Sequence, residues 1–157
     1  MVGLLILVAG IVLALDQATK VIVVASMLEG QTIPVIDGVL HWTFQRNPGA
    51  AFGLFTDFPV AFTILASAIA VGILVYARRV PDRTHAVALG LVLGGAVGNL
   101  TDRVFRPPGV FRGHVIDFVD LRVWPVFNVA DAAVVVGAIL LILAQYAQER
   151  RARAARG

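Results

Sequence analysis

One aspartate, Asp131, interrupts the apolar run from about Phe127 to Ala147, with no basic residue four positions before or after it. An ionisable residue at such a place costs about 2.5–3.5 kcal/mol on insertion scales, so it needs a partner from another segment and is a functional candidate by default. Asp16, Asn99, Asp102, Arg103 and Asn128 also fall towards one end of apolar runs. Asn99, Asp102 and Arg103 are spaced i, i+3, i+4, and Asn128 and Asp131 are i, i+3, so each group shares one helix face. The stretch Gly113-His114-Val115-Ile116-Asp117-Phe118 lies just ahead of the last run and can deliver Asp117 to the depth of Asp131. Acids gathered at one depth suit acid–base catalysis, although intramembrane acids also mark ion paths.

Plainer roles compete for most of these residues. Asp102 beside Arg103 is most simply a local charge pair. Asp16 and Lys20, at i and i+4, can pair and snorkel to the interface. Asn128 can cap the last helix, His114 reads as an interface residue, Asp37 as turn chemistry, and Asp120 and Arg122 as solvated loop charges. Asp131 is the hardest to explain away.

The elements that must position these groups follow from composition. The 157 residues are 59% hydrophobic and 15% charged, with no cysteine, and the mean hydropathy is +0.86. A soluble domain of this size has too little interior for so much apolar surface. Zero cysteines exclude a disulfide scaffold and a thiol nucleophile within the chain. The net charge of +3 reflects arginines at the ends of apolar runs, not a nucleic-acid footprint. Four runs, at about 2–26, 58–77, 85–105 and 127–147, are each long enough to cross about 30 Å of hydrocarbon as a helix. The first lacks a basic n-region and exceeds the usual h-region, so it reads as a span and not a cleaved signal peptide.

Four spans return both ends to one side. Arg78, Arg79 and Arg83, with Arg150, Arg151, Arg153 and Arg156, form two dense clusters there, which places that side in the cytoplasm. The other side receives two longer loops containing Trp42 and Trp124. The segment from Thr32 to Phe44, with Asp37-Gly38 at its middle, reads as a hairpin or small sheet. The expected fold is therefore an all-α membrane protein, one domain over 1–157, with a small extracytoplasmic hairpin or sheet between the first two helices. Gly90, Gly94, Gly95 and Gly98 ahead of Asn99 permit close helix approach.

Five ordered blocks then become recognisable: Leu15-Asp16-Gln17-Ala18-Thr19-Lys20, Asn47-Pro48-Gly49-Ala50-Ala51-Phe52-Gly53, Gly98-Asn99-Leu100-Thr101-Asp102-Arg103, Gly113-His114-Val115-Ile116-Asp117-Phe118 and Phe127-Asn128-Val129-Ala130-Asp131. Together they resemble the signature of lipoprotein signal peptidase, or signal peptidase II, over essentially the whole chain. The resemblance implies an aspartyl intramembrane protease of the bacterial inner membrane, the target of globomycin. It would cleave diacylglyceryl-modified prolipoproteins just before the lipidated cysteine. It also implies Asp117 and Asp131 as catalytic, with Asp16, Lys20, Asn47, Gly49, Asn99, Arg103, Asn128 and Ala130 as substrate-binding or supporting positions. The small run Gly49-Ala50-Ala51 would shape a lid or cradle. The stretch Arg106–Arg112 is longer than the usual pattern and gives Asp117 a different loop path.

The implied chemistry is coherent, because two close carboxylates cannot both ionise and can activate a water between them. No metal or cofactor is expected: the histidines His41, His85 and His114 lack His-Glu-x-x-His spacing. Membrane lipid and lipidated substrate are the expected partners, with no nucleic acid, and the chain is expected to act as a monomer. A proton-coupled transporter would spread its acids across the bilayer, whereas here they bunch at one end. A helix-packing assembly subunit is the other alternative.

Overall fold

The computed structural model describes residues 1–49 and 59–154. Four long helices, α1 (Val2–Ser26), α2 (Pro59–Tyr76), α3 (Arg83–Phe105) and α4 (Val129–Ala154), dominate the chain. A 3-10 turn, Ala77–Arg79, follows α2. All four helices are long and apolar enough to span a membrane. Most large apolar side chains on α1, α2 and α4 point outward, Leu7, Ile22, Val75 and Ile142 among them. That inversion of a soluble protein's pattern is what lipid-facing helices require.

Helix α3 is the central post, packed against α1, α2 and α4. Its glycines make this possible. A β-carbon on Gly90 or Gly94 would lie 2.7 Å from the carbonyl oxygens of Leu5 and Ala9 on α1. On the other flank, Gly95 abuts the Ala130 carbonyl and Val134 of α4, while Gly98 lies between Asp16 of α1 and Ala130 of α4. Backbones thus meet directly, the way helices associate where no hydrophobic force separates side chain from lipid. Asp82 starts α3 by accepting the His85 backbone N–H at 2.9 Å.

At the end where α1 and α3 finish and α4 begins, three antiparallel strands form a sheet in the order β1 (Thr32–Ile36), β2 (Leu40–Asn47), β3 (Val115–Asp120). The Asp37-Gly38 turn joins β1 to β2, with Gly38 at φ +71°. The third strand comes from the α3–α4 connection and pairs with β2, Gln45 opposite Asp117 and Asn47 opposite Val115. Phe127, just before α4, bridges to Val119 of β3. The sheet packs on α1 through Val23, Phe44, Ile116 and Phe118, and Trp42 stacks on Phe118 at 5.5 Å between ring centroids.

Candidate active site

Three asparagines frame the two acids, and each has its carboxamide orientation fixed by a hydrogen bond to its oxygen. The Asn47 oxygen accepts the Gly49 N–H at 2.9 Å, which turns its nitrogen to Asp117 Oδ2 at 2.8 Å. The Asn128 oxygen caps α4 by accepting the Asp131 N–H at 3.0 Å. Its nitrogen then donates to Asp117 Oδ1 at 2.6 Å and to Asn99 Oδ1 at 3.2 Å. Asn99 Oδ1 also accepts from Lys20 Nζ at 3.0 Å, leaving its nitrogen to Asp131 Oδ1 at 2.8 Å. Asp131 Oδ2 accepts the Asn128 N–H at 3.2 Å, completing a reciprocal cap at the start of α4. All four carboxyl oxygens therefore face donors.

The elements explain this convergence. Asn47 and Asp117 lie on neighbouring strands as diagonal positions of one face, given Gln45 opposite Asp117. The Phe127–Val119 bridge holds the strand that carries Asp117 beside the first turn of α4. The loop 106–114 is tied down as well: the Gly113 N–H donates to the Arg103 carbonyl at 3.0 Å, and Thr63 Oγ1 of α2 donates to the Phe111 carbonyl at 3.1 Å. The longer connection thus delivers Asp117 by way of a paired strand.

Asp117 is 2% exposed. Burial, and after it the charge of Asp131, pushes its carboxyl up to about 7, against the opposing pull of the Asn47 and Asn128 hydrogen bonds and of Lys20. Asp117 and Asp131 both line a cavity of about 390 Å³. Asn47, Asn99 and Arg103 supply its other polar side chains, and Phe62, Leu65 and Ile69 of α2 with Val134 and Val135 of α4 form an apolar wall.

Beneath the pair lies a second, wholly buried group. Lys20 Nζ sits 2.8 Å from both Asp16 Oδ2 and Asp102 Oδ2, and none of the three residues is exposed. The Asp16–Lys20 pair therefore forms but does not snorkel, because α3 covers it. Asp16 Oδ1 accepts the Ala130 N–H at 3.0 Å, an otherwise unpartnered donor in the first turn of α4. Ala130 is small where α1, α3 and α4 meet, its β-carbon 3.3 Å from where one on Gly98 would stand.

Two plainer expectations fail. Asp102 does not pair with Arg103; it takes Lys20 and the Arg106 guanidinium at 2.5 Å. Adjacent residues on a helix point apart, and the Arg103 guanidinium instead reaches the carbonyls of Pro48 at 2.9 Å, Gly113 at 3.2 Å and Gly49 at 2.5 Å. Asp120 is not a solvated charge: it is buried and accepts from Thr43 Oγ1 at 3.0 Å, and the Arg122 backbone N–H donates to it at 2.8 Å. Residues 50–58, with Ala50, Ala51 and the onset of the second span, lie outside the described residues. Gln17, inside the first block but not singled out from sequence, donates to Asp16 at 3.0 Å and to the Gly98 carbonyl at 3.1 Å. Its place next to Asp16 was the only signal.

Membrane-length helices that gather buried acids and carboxamides around a partly apolar cavity define a polytopic membrane protein with a polar site at one end of its bundle. A solved structure described as a bacterial membrane enzyme, determined by the in meso method at 2.3 Å resolution, is similar to it with a TM-score of 0.83 and 33% identity, over 94% of this chain and 90% of that one. A second, at 1.9 Å resolution, gives 0.76 and 34% over 91% and 92%. The lipoprotein signal peptidase of Mycobacterium avium (strain 104) is 51% identical over 140 residues, 89% of this chain and 77% of its own length. That of Mycobacterium leprae (strain Br4923) is 47% identical over 140 residues, 89% and 70%. The family model for signal peptidase (SPase) II matches residues 8–147, and the chain belongs to that family. It is a multi-pass membrane peptidase.

Proposed function

We propose that the chain is an aspartyl endopeptidase that removes the signal peptide from diacylglyceryl-modified prolipoproteins, cutting just before the lipidated cysteine, with Asp117 and Asp131 as the catalytic pair. The observation that carries this is the shared cavity: both carboxyls line it, each held by oriented amide donors. The ionised member takes a proton from water as the oxygen attacks the scissile carbonyl, and the protonated member donates to the carbonyl oxygen. When the resulting diol collapses, the C–N bond breaks and the leaving amine takes a proton from the first acid. A diol hydroxyl returns one to the second. No covalent intermediate with the protein is needed.

The apolar wall between α2 and α4 suits the acyl chains of the substrate. Asn99, Asn128 and Asn47 orient the acids. Arg103 holds the chain at Pro48 and Gly49 against α3, Asp16 fixes α1 to the start of α4 at Ala130, and Lys20 fixes α1 to α3. The arginine clusters at the far end support a reading with the termini in the cytoplasm and the site near the extracytoplasmic face of the bacterial inner membrane.

The test is a gel-shift assay on a diacylglyceryl-modified prolipoprotein with Asp117→Asn and Asp131→Asn. Each variant should insert normally and lose about a thousand-fold or more in cleavage, and globomycin should block the wild type. Processing at the wild-type rate by either variant would sink the assignment.

A further inference from the structure

Lys20 is fully buried in the last third of a membrane helix, and its placement does more than neutralise Asp16. Resting on the reading of Asp117 and Asp131 as the catalytic pair, we propose that Lys20 is a positioning residue that decides how the pair shares its proton. By fixing the Asn99 carboxamide with its nitrogen towards Asp131, Lys20 keeps Asp131 the ionised member, which activates water, and leaves the proton on Asp117.

The argument is one of donors and acceptors. A carboxamide can sit in two orientations related by a half-turn. The oxygen of Asn99 faces Lys20 Nζ at 3.0 Å and the Asn128 nitrogen at 3.2 Å. Both are donors, and an ammonium has no acceptor to offer. The reversed orientation would set N–H against N–H in a buried site, so the Asn99 nitrogen is committed to Asp131 Oδ1 at 2.8 Å. A donor held there favours the carboxylate over the acid. The positive charge one amide away acts in the same direction. Without Lys20, the Asn128 nitrogen at 3.2 Å would be left to hold the Asn99 oxygen, and the positive charge that favours ionised Asp131 would be gone.

The other charges around Asp131 complete the picture. From α1 come Asp16 and Lys20, from α3 Asp102 and Arg103, and from β3 Asp117. Asp16 and Asp102 hold Lys20 in place and offset part of its charge. Asp117 accepts its hydrogen bonds from the neutral amides of Asn47 and Asn128 and is almost wholly buried, while the charges of Arg103 and Lys20 act on it through space.

The experiment is the pH profile of kcat/KM between about pH 4 and 9, on a diacylglyceryl-modified prolipoprotein in lipid bicelles. Lys20→Met should move the acid limb up by about one pH unit, a roughly tenfold loss on that limb that is recovered on its alkaline side. Asp16→Asn, which removes the negative charge beside Lys20, should move the same limb down. A purely structural role predicts losses of one factor at every pH. If neither limb moves, or if both move in the same direction, the proposal falls. Should Lys20→Met fail to accumulate as folded protein, Asp16→Asn decides alone: a downward shift upholds the proposal and an unmoved limb overturns it. Failure here is distinct from failure of the peptidase reading, which would show as an active Asp131→Asn variant.

Discussion

Gly95→Ala tests whether the backbone contact between α3 and α4 sets the geometry of the acids. A β-carbon on Gly95 would stand 2.7 Å from Val134 Cγ2 and against the Ala130 carbonyl. Non-bonded carbons settle at about 3.5–4.0 Å, and neither a backbone carbonyl nor a branched valine can fold away. The added methyl must therefore drive α4 outward by roughly 1 Å. Ala130 adjoins Asp131, and Asn99 lies one turn beyond Gly95, so the same displacement opens the 2.8 Å Asn99–Asp131 hydrogen bond past its useful range. A misplacement of about 1 Å in a catalytic constellation can cost on the order of a hundredfold in rate, while the overpacking itself costs about 1–3 kcal/mol. The assay is single-turnover cleavage, with a thermal melt in detergent alongside. Gly72→Ala, on α2 with nothing within 4 Å of the new carbon, is the control and should behave as wild type. A Gly95→Ala protein with full cleavage activity would refute the link between helix contact and acid geometry.

Two further outcomes follow from the site. The Asp117 carboxyl is held near 7, above its ordinary value of 3.8; with Asp117 as the proposed proton donor, activity should fall about tenfold per pH unit above neutrality. A raised carboxyl stabilises the fold fully below about pH 3.8, and that contribution is lost as the pH rises through about 7. Asp117 should therefore lower the melting temperature across this window, and a flat profile would contradict its burial. Arg103→Lys replaces a fork that reaches three carbonyls with a point charge, which should cost roughly 1.5–3 kcal/mol for each charged hydrogen bond lost. The melt should show this, with at least a tenfold drop in cleavage; a lysine variant equal to wild type would show that the fork is unnecessary.

What the sequence made legible follows the range of each interaction. The spans could be read because length and apolarity are local quantities, and the hairpin because Asp37-Gly38 marks its turn. Asp131 could be singled out because no base stood within helical reach, which already demanded a long-range partner. That partner proved to be Asn99, 32 positions away. The third strand stayed hidden, since Val115–Asp120 pairs with residues about 70 positions earlier and its side chains carry no turn signal. Asp102 and Asp120 have partners that no local reading supplies, because those partners lie about 80 positions away in the chain. Asp102 found Lys20, and Asp120 found Thr43.

The buried Asp16–Lys20–Asp102 group also bears on how the protein is assembled. In lipid, α1 alone carries an acid and a base with only each other for company. Its second acid and its glycine docking surface both belong to α3, so α2 must cross the bilayer before α1 finds its mate. The first helix to enter is thus left energetically unfinished until the third arrives, and a nascent chain halted after two spans would expose that debt to lipid or to quality-control factors.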